Sequence, residues 1–118
     1  MSTHEPTKIF HKDQVSIDAA IAAAQLYIDA YFADLADLAA LKPIPKSYEL
    51  KYLMEARDRA ESADFVITVL QTEQTVEAMV AKLNEETKQR YDDDRGTEYF
   101  IPLSITIARL RPLYSPEA

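Results

Sequence analysis

The sequence predicts an all-α fold: an antiparallel hairpin or bundle of two long helices, followed by a short C-terminal helix. Three observations carry this. Apolar residues recur at alternating intervals of four and three over most of the chain, Gly occurs once in 118 residues, and the six prolines leave the two long segments uninterrupted. With 47% hydrophobic and 28% charged residues the chain lies well outside the disordered regime. Its length suits one domain.

Residues 1–14 have no period and contain Pro6, so they read as a flexible N-terminal arm ahead of a single helical domain, 15–118. From Ile17 the positions Ile17, Ile21, Ala24, Ile28, Tyr31, Leu35 and Leu38 form one helical stripe, with Asp13 or Ser16 as N-cap. The helix must stop before Pro43, because proline and the residue before it resist the α conformation. Leu26, Phe32 and Leu41 lie off the stripe, which predicts that the first helix sits between more than one neighbour.

Lys42 to Lys46, KPIPK, is a stiff connector, and Ser47 is placed to cap a second helix. Its stripe is Leu53, Ala56, Ala60, Ala63, Ile67 and Leu70. A displaced stripe of Val66, Val69, Val76, Val80 and Leu83 overlaps it. The intervening QTEQT, Gln71 to Thr75, is weakly helical but lacks Gly and Pro. One helix from Tyr48 to Tyr91, bent there, is therefore preferred over a separate third helix capped by Thr72.

Gly96 is suited to close that helix in the left-handed conformation. Beyond it, Ile101, Leu103, Ile105 and Ile107 alternate with Pro102, Ser104, Thr106 and Ala108 as in a strand, whereas Leu103, Ile107 and Leu110 suit a helix with Pro102 at its first position. A strand would find only Thr7 to Phe10 as partner, so a short helix is preferred. A second helix of about 66 Å beside a first of about 39 Å leaves Val76, Met79, Val80 and Leu83 to be covered by the C-terminal segment, by a fold-back at QTEQT, or by another subunit. The expectation is a homodimer or larger helical assembly.

Net charge is −7, with −4 over residues 16–41, −2 over 48–70 and −4 over 71–94. Such acidic faces repel a phosphate backbone and predict no nucleic-acid binding; the natural complement is a protein partner with a basic surface. The longest apolar run, Ala19 to Ile28, is too short for a membrane span, and the first fifteen residues hold no apolar signal segment. The absence of cysteine removes disulfides and thiolate chemistry and fits a cytoplasmic protein.

Catalytic signatures are sparse. His4 and His11 lie in the arm without a metal-ligand spacing, and one glycine cannot build a phosphate loop. Carboxylates at i, i+3 spacing, Asp34 with Asp37, Glu55 with Asp58, and Glu61 with Asp64, could gather around Mg²⁺ between two antiparallel helices, which keeps a metal-dependent nucleotide hydrolase as the alternative. Against it, these residues flank the seams, and Glu55 with Arg59 and Arg57 with Glu61 are spaced as i, i+4 salt pairs. Imitation of DNA by the carboxylates is weakened by the interleaved Arg57, Arg59, Lys82 and Lys88.

The leading expectation is a small acidic helical protein that binds and regulates or neutralises a protein partner, of the immunity, inhibitor or adaptor kind, without catalysis or cofactor. Its candidate contacts are Asp92, Asp93 and Asp94, three acids at a helix C-terminus where the dipole disfavours them, and Tyr48 with Tyr52, an i, i+4 pair of the amphipathic rings favoured at interfaces.

Overall fold

A computed structural model describes residues 11–40, 47–93 and 95–114. They form four helices: α1 (His11–Ala39), α2 (Ser47–Thr72), α3 (Val76–Asp92) and α4 (Thr97–Tyr114). No strand occurs among the described residues, and no described helix is long and apolar enough to cross a membrane. α1 begins at His11, so Asp13 and Ser16 lie inside its first turns rather than at its cap. Residues 11–14, expected in the flexible arm, are thus helical; the rest of the arm, 1–10, and the KPIPK connector lie outside the described residues.

The preferred single helix over 48–91 is not what forms. α2 ends at Thr72, and α3 starts three residues later. The new helix is capped by Thr75, whose extended backbone lets its Oγ1 accept the Ala78 N–H at 3.1 Å; Thr72, the cap expected from sequence, instead donates its hydroxyl back to the Thr68 carbonyl. A tight turn without Gly or Pro is possible here because Thr75 supplies the cap and burial supplies the drive. After the break the rotated stripe Val76, Met79, Val80 and Leu83 turns inward and is buried.

What covers it is α4. This helix is neither short nor begun at Pro102: it starts at Thr97 and places Pro102 inside, although an interior proline removes the donor for the Glu98 carbonyl. The stripe Tyr99, Leu103, Ile107 and Leu110 is buried in one cluster with Val76, Met79, Val80 and Leu83 of α3, Val66, Val69 and Leu70 of α2, and Ile17, Ala20 and Ala24 of α1. Burying that face, at roughly 1.5–3 kcal/mol per large side chain, overrides the proline and the β-branched run that made a strand plausible. Thr106, buried among apolar neighbours, donates its hydroxyl to the Pro102 carbonyl at 2.7 Å, whereas the Ser62 hydroxyl in α2 is fully buried without a partner.

Gly96 also has a different role from the one expected. Its backbone is not left-handed. The C-cap of α3 is Asp93, and the chain closes through the Arg95 N–H to the Arg90 carbonyl, the six-to-one bond of a Schellman turn. Gly96 instead precedes α4, where its carbonyl accepts the Tyr99 N–H. The result measures 64 × 30 × 27 Å, because α1 and α2 outrun α3 and α4. Leu26 and Phe32, expected to widen the buried face of α1, are exposed.

Candidate protein-contact site

The geometry that organises the surface begins at Arg95, in the turn between α3 and α4. Its guanidinium donates to Asp58 at 3.0 Å and to Glu61 at 2.9 Å, one helical turn apart on α2, and stacks over the Tyr99 ring at 4.0 Å. Burial works against the cation, but the bonds to Glu61 and Asp58 outweigh it and hold the Arg95 pKa up. Glu98, in the first turn of α4, pairs with Arg59. The sequence expectation that Glu55 neutralises Arg59 is therefore corrected, while the Arg57 to Glu61 pair forms at 3.4 Å on an exposed face.

On the far side of the turn, the Tyr99 hydroxyl donates to Glu86 at 2.6 Å, and Glu86 accepts from Arg90, which also donates to Asp93. Burial and the bond to Glu86 push the Tyr99 phenol well above its ordinary 10, with Arg95 and Arg90 opposing. The unfolded chain thus loses this proton first as pH rises, so the stability from Tyr99 is complete below about pH 10 and declines through the alkaline range toward the folded pKa. Urea unfolding of wild type against Tyr99→Phe checks this: above pH 10 the wild type should lose stability more steeply than the variant, and parallel curves would refute it.

These contacts resolve the three aspartates. Asp93 caps α3 and is held by Arg90; Asp92 is exposed; Asp94 lies outside the described residues. Arg95, which in sequence looks like local compensation for them, reaches 34 and 37 residues back to α2 instead. The metal-ligand alternative loses two of its members to the same contact, since Asp58 and Glu61 face a guanidinium, and no group of three ligand-type residues gathers among the described residues.

The network also fixes where cover ends. With Arg95 on Asp58 and Glu98 on Arg59, α4 runs from there along Ala63, Val66 and Leu70, and Leu50, Tyr52 and Met54 earlier on α2 are exposed. Tyr52 shares a helical face with Arg59, seven residues on, but lies before the start of α4 and is 58% exposed; Met54, on the other side of the helix, is 62% exposed. The side chain of Tyr48 lies outside the described residues.

No protein-family model matches this chain, and no curated protein or solved structure matches it either.

On the neighbouring stretch of α1, Phe32 is 60% exposed and packs its ring 5.6 Å from that of Tyr31. Both line a cleft of about 290 Å³ between α1 and α2, with Ile28, Ala60, Asp64 and the paired Arg57 and Glu61 on its walls. Asp34 and Asp37 follow on α1, which carries no Lys or Arg between residues 13 and 41. Exposed rings beside Asp64, which has no ion pair among the described residues, and Asp34 and Asp37 farther round the same end of α1, suit a partner that brings both apolar and cationic groups. Of the residues singled out in sequence, Tyr52 belongs to this end; Asp92 and Asp93 lie across the Arg95 turn from it. Sequence reasoning passed over Phe32 and Met54 as contacts. Their signal was available in Phe32 falling off the α1 stripe.

Proposed function

We propose that the protein is a non-catalytic interaction module that binds a protein partner with a basic surface through the outer end of α1 and α2. In this reading α1 and α2 form an antiparallel hairpin whose inner half is locked by α3 and α4, while its outer half is kept for the partner. The observation that carries it is the exposure of Phe32, Tyr52 and Met54 at the end of α1 and α2 that α4 does not reach, with Asp64 lining the cleft beside Phe32. Aromatic anchors supply contact area at low entropic cost, and the carboxylates steer association. Regulation or neutralisation of the partner follows from occupying its surface. Asp92 and Asp93 are the second line of contact at the Arg95 turn.

The test is affinity capture from the source cells with the wild type, a Phe32→Asp/Tyr52→Asp variant and an Asp34→Lys/Asp37→Lys variant. A basic protein retained by the wild type, released as salt approaches ~0.5 M, and lost with both variants is expected, because screening shortens the reach of exposed charges to a few ångströms. Retention indifferent to salt and to all four substitutions, or no retained protein, refutes the proposal.

A further inference from the structure

A second uncovered surface lies on the opposite face of α1 from the core. Val15, Ala19, Ala22, Leu26, Ala33 and Ala36 repeat at helical spacing, about half a turn away from the Ile17 and Ala24 face, and all are exposed. Beside them a groove of about 400 Å³ runs between α1 and α4, floored by Ala20, Ala24 and Pro102 and bounded by Tyr27, Ile105 and Arg109. Leu26 and Ile105, 67% and 41% exposed, stand on its rims.

Charge identifies what fits. α1 presents Asp18, Asp29, Asp34 and Asp37 without a cation, and the only residues they accept from among those described are Gln14, to Asp18, and Gln25, to Asp29. α4 ends in Arg109 and Arg111, neither of which has an ion pair among the described residues. The groove therefore has an unpaired cation, Arg109, on its α4 side and unneutralised acids on α1. A cationic foreign helix would meet Arg109, and an acidic one would meet α1; a copy of the same surface, turned over, satisfies both.

The register agrees. Glu98 pairs with Arg59, the neighbour of Ala60, which shares a cleft with Ile28; the start of α4 is thus level with residue 28 of α1. Arg109 lies about 16 Å farther along, where Ala20 lines the same groove. A two-fold axis running obliquely across the middle of the groove exchanges these ends and sets Arg109 of one copy beside Asp29 of the other. We propose that the α1–α4 face is a self-complementary homodimer interface, closed by Leu26 and Ile105 at its centre and by Asp29 to Arg109 pairs at both ends, as two-fold symmetry requires. It stands independently of the partner surface at the outer end of α1 and α2.

Sedimentation equilibrium decides it. The wild type should approach twice 13.4 kDa at micromolar concentration. Leu26→Asp and Ile105→Asp should each give a monomer with undiminished helical circular dichroism. Asp29→Arg and Arg109→Asp, both surface changes, should each weaken dimerisation about tenfold, since the pair occurs twice, and together restore it. A 13.4 kDa monomer up to millimolar concentration overturns the proposal. So does a dimer indifferent to these substitutions, as when another face associates, and so does a double variant no tighter than the single ones. A basic protein captured on this face while the chain stays monomeric refutes it equally.

Discussion

Leu103→Ala should cost about 2–5 kcal/mol, lowering the melting temperature by roughly 10–20 °C, because it opens a cavity in a fully buried position between α3 and α4. Ile105→Ala, measured at concentrations low enough to keep the chain monomeric, should cost under about 1 kcal/mol from a half-exposed site. The contrast is diagnostic. In a strand Leu103 and Ile105 would share a face and lose similar amounts; in a helix they point about 160° apart. Equal losses in urea unfolding would contradict the helical register of α4. A domain with about 5–15 kcal/mol in total would be left close to its unfolding threshold by the first variant alone.

The second large effect belongs to Arg95. Arg95→Met removes two charge-assisted hydrogen bonds and a ring contact while leaving Asp58 and Glu61 facing each other, and should cost about 1–3 kcal/mol. Partial exposure of the three side chains sets the ceiling, since water screens them. Arg57→Met breaks only an exposed i, i+4 pair and should cost no more than about 0.5 kcal/mol. Asp58→Asn and Glu61→Gln introduced into the Arg95→Met background should recover part of the loss by relieving repulsion. If Arg95→Met and Arg57→Met unfold at the same urea concentration, Arg95 does not pin the turn to α2.

Much of this fold was legible from apolar spacing. The stripe of Ile17 to Leu38 places α1, and Ser47 the start of α2, within a few residues of their bounds, but not the end of α2 at Thr72, where one helix was expected to run on to Tyr91; Val76, Met79, Val80 and Leu83 were recognised as needing cover. The source of that cover was not legible, because it depends on Thr75 acting as a cap and on α4 tolerating Pro102, and both are settled by burial rather than by propensity. With α4 in place, those four residues no longer require a second subunit. The case for self-association moves instead to Leu26, Ile105, Asp29 and Arg109, a surface that only tertiary structure assembles. Arg95 illustrates the same limit: three neighbouring aspartates make it look like local compensation, yet its partners are on α2. The candidate site was half visible. Tyr52 stood out as one of a spaced pair of rings, whereas the bareness of Phe32 and Met54 follows from where α4 begins.

The central claim is that the outer end of α1 and α2 receives a basic partner. It is tested most directly by mapping amide chemical shifts while titrating an amphipathic helical peptide of lysine and leucine, a probe carrying both the charge and the apolar face expected of the partner. Shifts concentrated at residues 28–37 and 50–57, and abolished at ~0.5 M salt, are the predicted result. Shifts spread over α3 and the body of α4 with none at Phe32 or Tyr52, or no response to the peptide at all, would contradict it.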